Sequence, residues 1–232
     1  MHHVQPIAKS YWVLPGQLLA SEYPGSQHIH DARTKVHQFL EAGFTSFIDL
    51  TEPNELIPYT SLLEKEAINY RTQVQYQRLP IVDQSVPRPD RMQEILDAID
   101  QALAMGHKVC VHCWGGVGRT GTVIGCYRVR NGWSWQAALG DIAWRFGQTP
   151  KHQRPAPENH MQREFIRTWH EHDRYAQRLP RQSSWPPTCS PTPSGHGHAP
   201  CSRCPSTCIL TATSASVFTL VCPHRACTGA AT

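Results

Sequence analysis

The sequence predicts an α/β fold, a central mostly parallel sheet flanked by helices, followed by a disordered C-terminal tail. Three observations predict it. Strand-like and helix-like hydrophobic patterns alternate over residues 7–172, that span is long enough to bury one layered core, and the patterning stops near residue 178. A single domain over 7–172 and a tail over 178–232 are therefore expected.

Tyr11–Leu14 and Gln17–Ala20 read as short strands joined at the turn dipeptide Pro15-Gly16. Ile29–Ala42 reads as a helix that gathers Ala32, Val36, Phe39 and Leu40 on one face and stops at Gly43. Phe44–Leu50 follows as a buried strand, with Asp49 at its end. Glu55–Ala67 predicts a second helix whose start is blurred by Pro58. Val74–Leu79 predicts a strand, and a proline-rich loop runs from Pro80 to Pro89. Met92, Ile95, Leu96, Ile99 and Leu103 recur at the spacing of one helix face. Lys108–His112 predicts another strand, and a glycine-rich loop leads from it into a helix over Thr120–Arg130 that Asn131-Gly132 ends. Ser134–Phe146 and Pro157–Trp169 predict two further helices.

Charge is unevenly spread. Residues 1–180 hold 19 of the 22 Lys and Arg and all 18 acids, whereas 181–232 hold three arginines, no lysine, no acid, seven prolines and six of the nine cysteines. The net +4 thus belongs mostly to the tail, and no Lys- or Arg-rich run marks a nucleic-acid binder. The longest weakly polar run, Ile209–Val221, is short of the roughly 20 residues that span a bilayer, and Met1-His2-His3-Val4-Gln5-Pro6 lacks the pattern of a signal peptide. No nucleic-acid and no membrane partner is expected, and a cytoplasmic protein with reduced thiols is. Ser183–Pro205 is rich in Ser, Thr, Pro and Gly, too polar to offset ordering entropy, although Ile209–Val221 keeps the capacity to pair as a strand. Cys201, Cys204 and Cys208, with Cys222, His224 and Cys227 beyond, begin with the spacing of a zinc knuckle. The segment lacks the apolar and turn residues that fold around such a site, so no metal site is expected.

The segment Val109 to Thr122 concentrates the chemistry. A strand delivers Cys113 at its C-terminal edge, and a helix begins near Arg119. The intervening Trp114, Gly115, Gly116, Val117 and Gly118 include three glycines, which let backbone N–H groups turn inward around one anion. The helix N-terminus adds unpaired donors and the positive end of a dipole. Arg119 offers a planar fork matched to two phosphate oxygens. The same field favours a thiolate at Cys113, since cysteines near helix N-termini have pKa values of roughly 3.5–7.5. An anion cradle with a nucleophile at its base suits phosphoryl transfer.

His112-Cys113 followed by five residues, Arg119 and Thr120 resembles the signature of the cysteine-based protein tyrosine and dual-specificity phosphatases at every defining position. Trp12 to Ala20 with Tyr23-Pro24-Gly25, and Asp49-Leu50-Thr51, are similar to the compact dual-specificity branch, so the resemblance covers most of 7–172. It implies a phosphocysteine intermediate on Cys113, phosphate bound by Arg119 and the loop residues 114–118, a loop-orienting role for His112, and a hydroxyl at Thr120 that eases thiolate departure. Leu79 to Pro87 resembles the family's acid loop, which makes Asp83 the general acid and then base. Asp90 is a rival better explained as stabilising a helix start. Gln162 falls on the late helix that follows the catalytic loop and is expected to be an ordinary surface glutamine rather than a water-positioning one. Cys110 and Cys126 are expected to be buried thiols, and a Cys110–Cys113 disulfide is disfavoured by geometry.

The resemblance implies a hydrolase that needs no cofactor and acts on phosphorylated protein, with phosphotyrosine first and phosphoserine or phosphothreonine next. Phosphoinositides or RNA 5′-phosphates are the alternative substrates. The uncharged run between Cys113 and Arg119 favours a single phosphate on a protein side chain. A phosphate-binding module without catalysis would lack the nucleophile, the arginine or the acid, and all three are present. No feature sets an oligomeric state.

Overall fold

The computed structural model describes residues 4–151 and 153–171, and two strands at 209–214 and 217–221. Residues Met1–Arg178 and Leu179–Thr232 form separate units. In the first, β1 (Ser10–Leu14) and β2 (Leu18–Ser21) form a hairpin closed at Pro15-Gly16, where Gln17 N–H donates to Leu14 O at 3.0 Å. Then follow α1 (Ile29–Glu41), β3 (Ser46–Asp49), α2 (Thr60–Asn69), β4 (Gln75–Arg78), α3 (Pro89–Ala104), β5 (Val109–His112), α4 (Gly118–Arg130), α5 (Trp135–Phe146) and α6 (His160–Arg167).

The sheet has the order β1-β2-β5-β3-β4. Only the β1–β2 pair is antiparallel; β2–β5, β5–β3 and β3–β4 are parallel. This is the expected mostly parallel sheet, and its central strand explains the sequence pattern. β5 is buried along its whole length, with Val109 and Val111 in one apolar cluster and Cys110 in the other. A strand covered on both faces needs a continuous apolar run rather than alternation. Val36, Phe39 and Leu40 of α1 and Leu63 and Ala67 of α2 pack with Phe47 and Cys110 on one side. Met92, Ile95, Leu96 and Ile99 of α3, Val123 and Ile124 of α4, Ile142 of α5 and Ile166 of α6 pack with Ile48, Val109 and Val111 on the other.

Three helix starts differ from the sequence reading, each for a local reason. α2 begins at Thr60, two residues beyond Pro58, and Glu55 stays outside it in a turn. α4 begins at Gly118 rather than Thr120, so the last residues of the glycine-rich loop form its first turn. α6 begins at His160 because Asn159 caps it: Asn159 Oδ1 accepts from Gln162 N–H at 3.0 Å, while Gln162 Oε1 accepts from Asn159 N–H at 3.3 Å, a reciprocal capping box.

At the carboxyl edge, Asp49 lies in register with His112, and Leu50 N–H donates to His112 O at 2.9 Å. The pairing continues past β4, with Leu79 N–H on Asp49 O at 2.8 Å and Ile81 N–H on Leu50 O at 3.0 Å. The loops that follow β3, β4 and β5 therefore leave the sheet side by side, the position at which open parallel sheets bind ligands.

In the second unit, β6 (Ile209–Ser214) pairs antiparallel with β7 (Val217–Val221), with an irregularity between Ala212 and Ser214. The rest of the expected tail, including the cysteines and His224 weighed as zinc ligands, lies outside the described residues. Among the described residues, no helix is long and apolar enough to cross a membrane.

Candidate active site

Cys113 and Arg119 bound one turn of chain above the carboxyl end of β5. Tyr23 N–H donates to Trp114 O at 3.0 Å, and Lys151 Nζ donates to Gly115 O at 3.0 Å. Because a trans peptide unit points its N–H opposite its carbonyl, holding these two oxygens against the scaffold turns the Gly115 and Gly116 N–H groups the other way. Gly118, Arg119 and Thr120 form the first turn of α4, whose N–H groups have no intrahelical acceptor. Val117 fastens the loop from below, buried in the same apolar cluster as Cys113.

Two loop glycines are dictated by space. Gly116 has φ of 71°, and a Cβ there would lie 2.7 Å from the Ser21 carbonyl carbon and oxygen and 2.8 Å from Glu22 N. The loop passes so close to the end of β2 that backbone would meet any side chain. At Gly118 a Cβ would lie 2.8 Å from Gln162 Nε2 and 3.1 Å from Glu158 Oε2.

Arg119 is 2% exposed and held from several sides. Its Nη1 and Nη2 donate to Glu55 Oε2 and Oε1 at 2.7 and 2.6 Å, a bidentate pair. Nη1 also reaches Ile81 O at 3.2 Å, and Nη2 lies 3.0 Å from Asp83 Oδ1. Among the described residues, Nε has no acceptor. Burial alone would lower the Arg119 pKa, but the Glu55 hydrogen bonds and then the Cys113, Glu55 and Asp83 charges raise it, so the group stays charged. Burial likewise opposes ionisation of Glu55, and the Arg119 hydrogen bonds overcome it to hold the carboxyl below its ordinary value. Glu55 escaped the sequence reading, which placed it inside a helix. The signal was Pro53-Asn54, turn residues just past β3, and Asn54 has φ of 66°.

His112 is fully buried, and burial pushes its pKa down even though Asp49 and the Cys113 backbone pull it up. It is therefore neutral near pH 7. Its Nε2 lies 2.7 Å from the Tyr59 hydroxyl, and its Nδ1 lies 3.7 Å from Asp49 Oδ1. Burial raises the Tyr59 pKa, so that hydroxyl keeps its proton in the hydrogen bond it shares with Nε2, while Nδ1 is buried with no hydrogen-bond partner among the described residues. Asp49 is itself saturated. Oδ1 accepts from Thr51 N–H at 2.8 Å and its hydroxyl at 2.7 Å, and Oδ2 from the Tyr76 hydroxyl at 2.6 Å and Arg78 Nε at 3.3 Å. Thr120 Oγ1 is buried without a hydrogen-bond partner among the described residues, Cys113 included.

A cavity of about 280 Å³ collects most of the expected residues: Asp83, Cys113, Trp114, Gly115, Val117, Gly118 and Arg119 line it. Asp90 does not; it pairs with Arg88 in the first turn of α3. The expectation for Gln162 is corrected. It is fully buried and also lines the cavity, because its side chain is consumed in the α6 cap and reaches Ser85 O at 3.4 Å. Asn159 Nδ2 donates to Gln84 O at 2.7 Å, so two hydrogen bonds tie the loop after Asp83 to the start of α6. Gln84, Lys151, Arg154 and Glu158 complete the lining and were not foreseen. Cys110, Cys113 and Cys126 are free thiols. Cys110 faces the opposite side of the sheet from Cys113, and burial raises the thiol pKa of Cys110 and Cys126.

A family profile, Tc-R-P, described as "Polymorphic toxin system, DSP-PTPase phosphatase", matches residues 20–133, from β2 to just beyond α4. The chain is 32% identical over 127 residues to mouse protein tyrosine phosphatase domain-containing protein 1, covering 52% of this chain and 17% of that protein. It is 27% identical over 187 residues to mouse dual specificity protein phosphatase CDC14B, covering 75% of this chain and 35% of that one. The chain thus spans about a third or less of the length of these relatives. Among solved structures, a mutant form of Tk-PTP is similar with a TM-score of 0.53 at 25% identity, over 69% of this chain and 93% of its own.

Proposed function

We propose that this chain, which has the fold of the cysteine-based tyrosine and dual-specificity phosphatases, is such a phosphatase and hydrolyses phosphotyrosine in proteins, with phosphoserine and phosphothreonine as secondary substrates. The observation that carries the reading is the convergence of a cysteine, an arginine and an aspartate on one cavity above a helix N-terminus.

In this reading the Cys113 sulfur attacks phosphorus while the ester P–O bond breaks, and Asp83 gives its proton to the departing oxygen. The phosphocysteine then yields to water, whose proton returns to the Asp83 carboxylate as the S–P bond breaks. Loop amides and Arg119 hold the equatorial oxygens, whose charge grows in the transition state. Glu55 occupies the Nη1/Nη2 edge of the fork, so phosphate takes Nε and the second Nη2 hydrogen. Asp83 Oδ1 lies 3.0 Å from Nη2 at rest, and an arriving phosphate takes its place beside the guanidinium, freeing the acid as substrate binds. The unpartnered Thr120 hydroxyl is the donor available to the sulfur when it leaves as thiolate.

The test is release of phosphate from an aryl phosphate in the presence of a chelator. Wild type should turn over and Cys113→Ser should not. Undiminished turnover in Cys113→Ser would overturn the mechanism.

A further inference from the structure

Beside the catalytic cavity lies a second one of about 760 Å³, and Trp114 and Lys151 line both. Three lysines from different parts of the chain, Lys9, Lys35 and Lys151, also line the second cavity and converge on the carboxylate of Glu22. Lys35 Nζ donates to Glu22 Oε1 at 2.9 Å, and Lys9 and Lys151 lie 3.3 Å from Oε2. Burial opposes ionisation of Glu22, but the Lys35 hydrogen bond and the three positive charges hold its pKa below the ordinary value. One carboxylate against three ammonium groups leaves the cluster with excess positive charge.

The excess is also available for bonding. An ammonium has three donors; among the described residues, contacts take up at most one on Lys9, two on Lys35 (Glu22 and Tyr23 O) and two on Lys151 (Glu22 and Gly115 O). Donors remain on all three. Glu55, the other acid on the wall, is engaged by Arg119. Leu56, the exposed Ile57 and Trp114, which is 60% exposed and lines both cavities, add apolar surface to the second.

We propose that this second cavity is an anion subsite for the substrate of the first, selecting phosphopeptides that carry an acidic side chain, carboxylate or phosphate, next to the phosphorylated residue. The proposal rests on the phosphatase reading above. A peptide is favoured over a polyphosphorylated inositol because Leu56, Ile57, Pro58 and Trp114 give the second cavity aliphatic and aromatic surface, which suits side-chain methylenes and rings better than a ring of hydroxyls. Lys9 and Lys35 line the second cavity and not the first, so their charge meets a neighbouring group rather than the phosphate under attack.

The experiment compares KM on three phosphotyrosine peptides, with alanine, aspartate or phosphoserine on both sides of the phosphotyrosine. Para-nitrophenyl phosphate serves as a small control and inositol 1,4,5-trisphosphate as the non-peptide arm. In wild type the acidic peptides should show KM about five- to tenfold lower than the alanine peptide, the scale of a partly exposed charge-assisted contact. Lys9→Gln and Lys35→Gln should each erode that difference while leaving para-nitrophenyl phosphate turnover unchanged. Equal KM for all three peptides, with the aryl phosphate still hydrolysed, would overturn the subsite alone. Preferential turnover of the inositol phosphate would overturn the peptide assignment. Failure of the wild type on every substrate would overturn the phosphatase reading and the subsite with it.

Discussion

Glu55 sets the orientation of Arg119, the residue proposed to meet phosphate. Its two oxygens lock the Arg119 guanidinium in one plane, and Glu55→Gln replaces one acceptor with a donor that faces another donor. Lost orientation outweighs relieved repulsion, so kcat/KM on an aryl phosphate should fall about tenfold, mostly through KM, in steady-state kinetics. Gly116 is constrained more severely, because any Cβ there meets the backbone of Ser21 and Glu22. Gly116→Ala should displace the loop, costing on the order of 1–3 kcal/mol in urea unfolding, and lower turnover at least a hundredfold. Asp49 gives a pH-dependent prediction. Burial opposes its ionisation, yet His112, Tyr76 and Thr51 hold its pKa below the ordinary 3.8. A depressed carboxylate pKa means the unfolded chain binds the proton first, so this stabilisation is complete above about pH 4 and fades as pH falls through the folded value. Asp49→Asn should therefore cost about 3 kcal/mol at pH 7, and the gap to wild type should narrow in denaturation curves below pH 4.

At the scale of elements, α6 acts on the cavity through its cap rather than its body. Asn159 caps the helix and holds Gln84 O, and Gln162 closes the box and reaches Ser85 O. Asn159→Ala should lower stability by about 1 kcal/mol and loosen the segment that presents Asp83. Turnover of phenyl phosphate, whose leaving group needs the proton, should fall several-fold more than that of para-nitrophenyl phosphate; equal losses would mean the cap matters only for stability. These links also explain what was legible in the sequence. The strands, α1 and the apolar face of α3 depend on local period, and the sequence places the strands and α1 close to their observed bounds. Glu55, Gln162, Lys151 and Arg154 reach the cavity from segments that no local pattern connects to it. A glutamine consumed in a capping box looks like any surface glutamine until α6 is placed against the loop.

For the molecule as a whole, every residue of the candidate site lies within Met1–Arg178. A chain ending at Arg178 should therefore retain the kcat/KM of the full chain on an aryl phosphate; a large loss would assign the remaining residues a part in catalysis. The sheet order carries a consequence for biosynthesis. β5 is the last strand of its sheet to be made and the one that lies in its middle, between β2 and β3. A chain emerging from the ribosome holds first one antiparallel ribbon and then one parallel pair, with no strand yet to join them. Insertion of β5 unites the halves through contacts far apart in the sequence, which slows folding, and the same event carries Cys113 to the carboxyl edge of the sheet. Cys113 thus reaches the cavity it lines only in the step that makes the core whole.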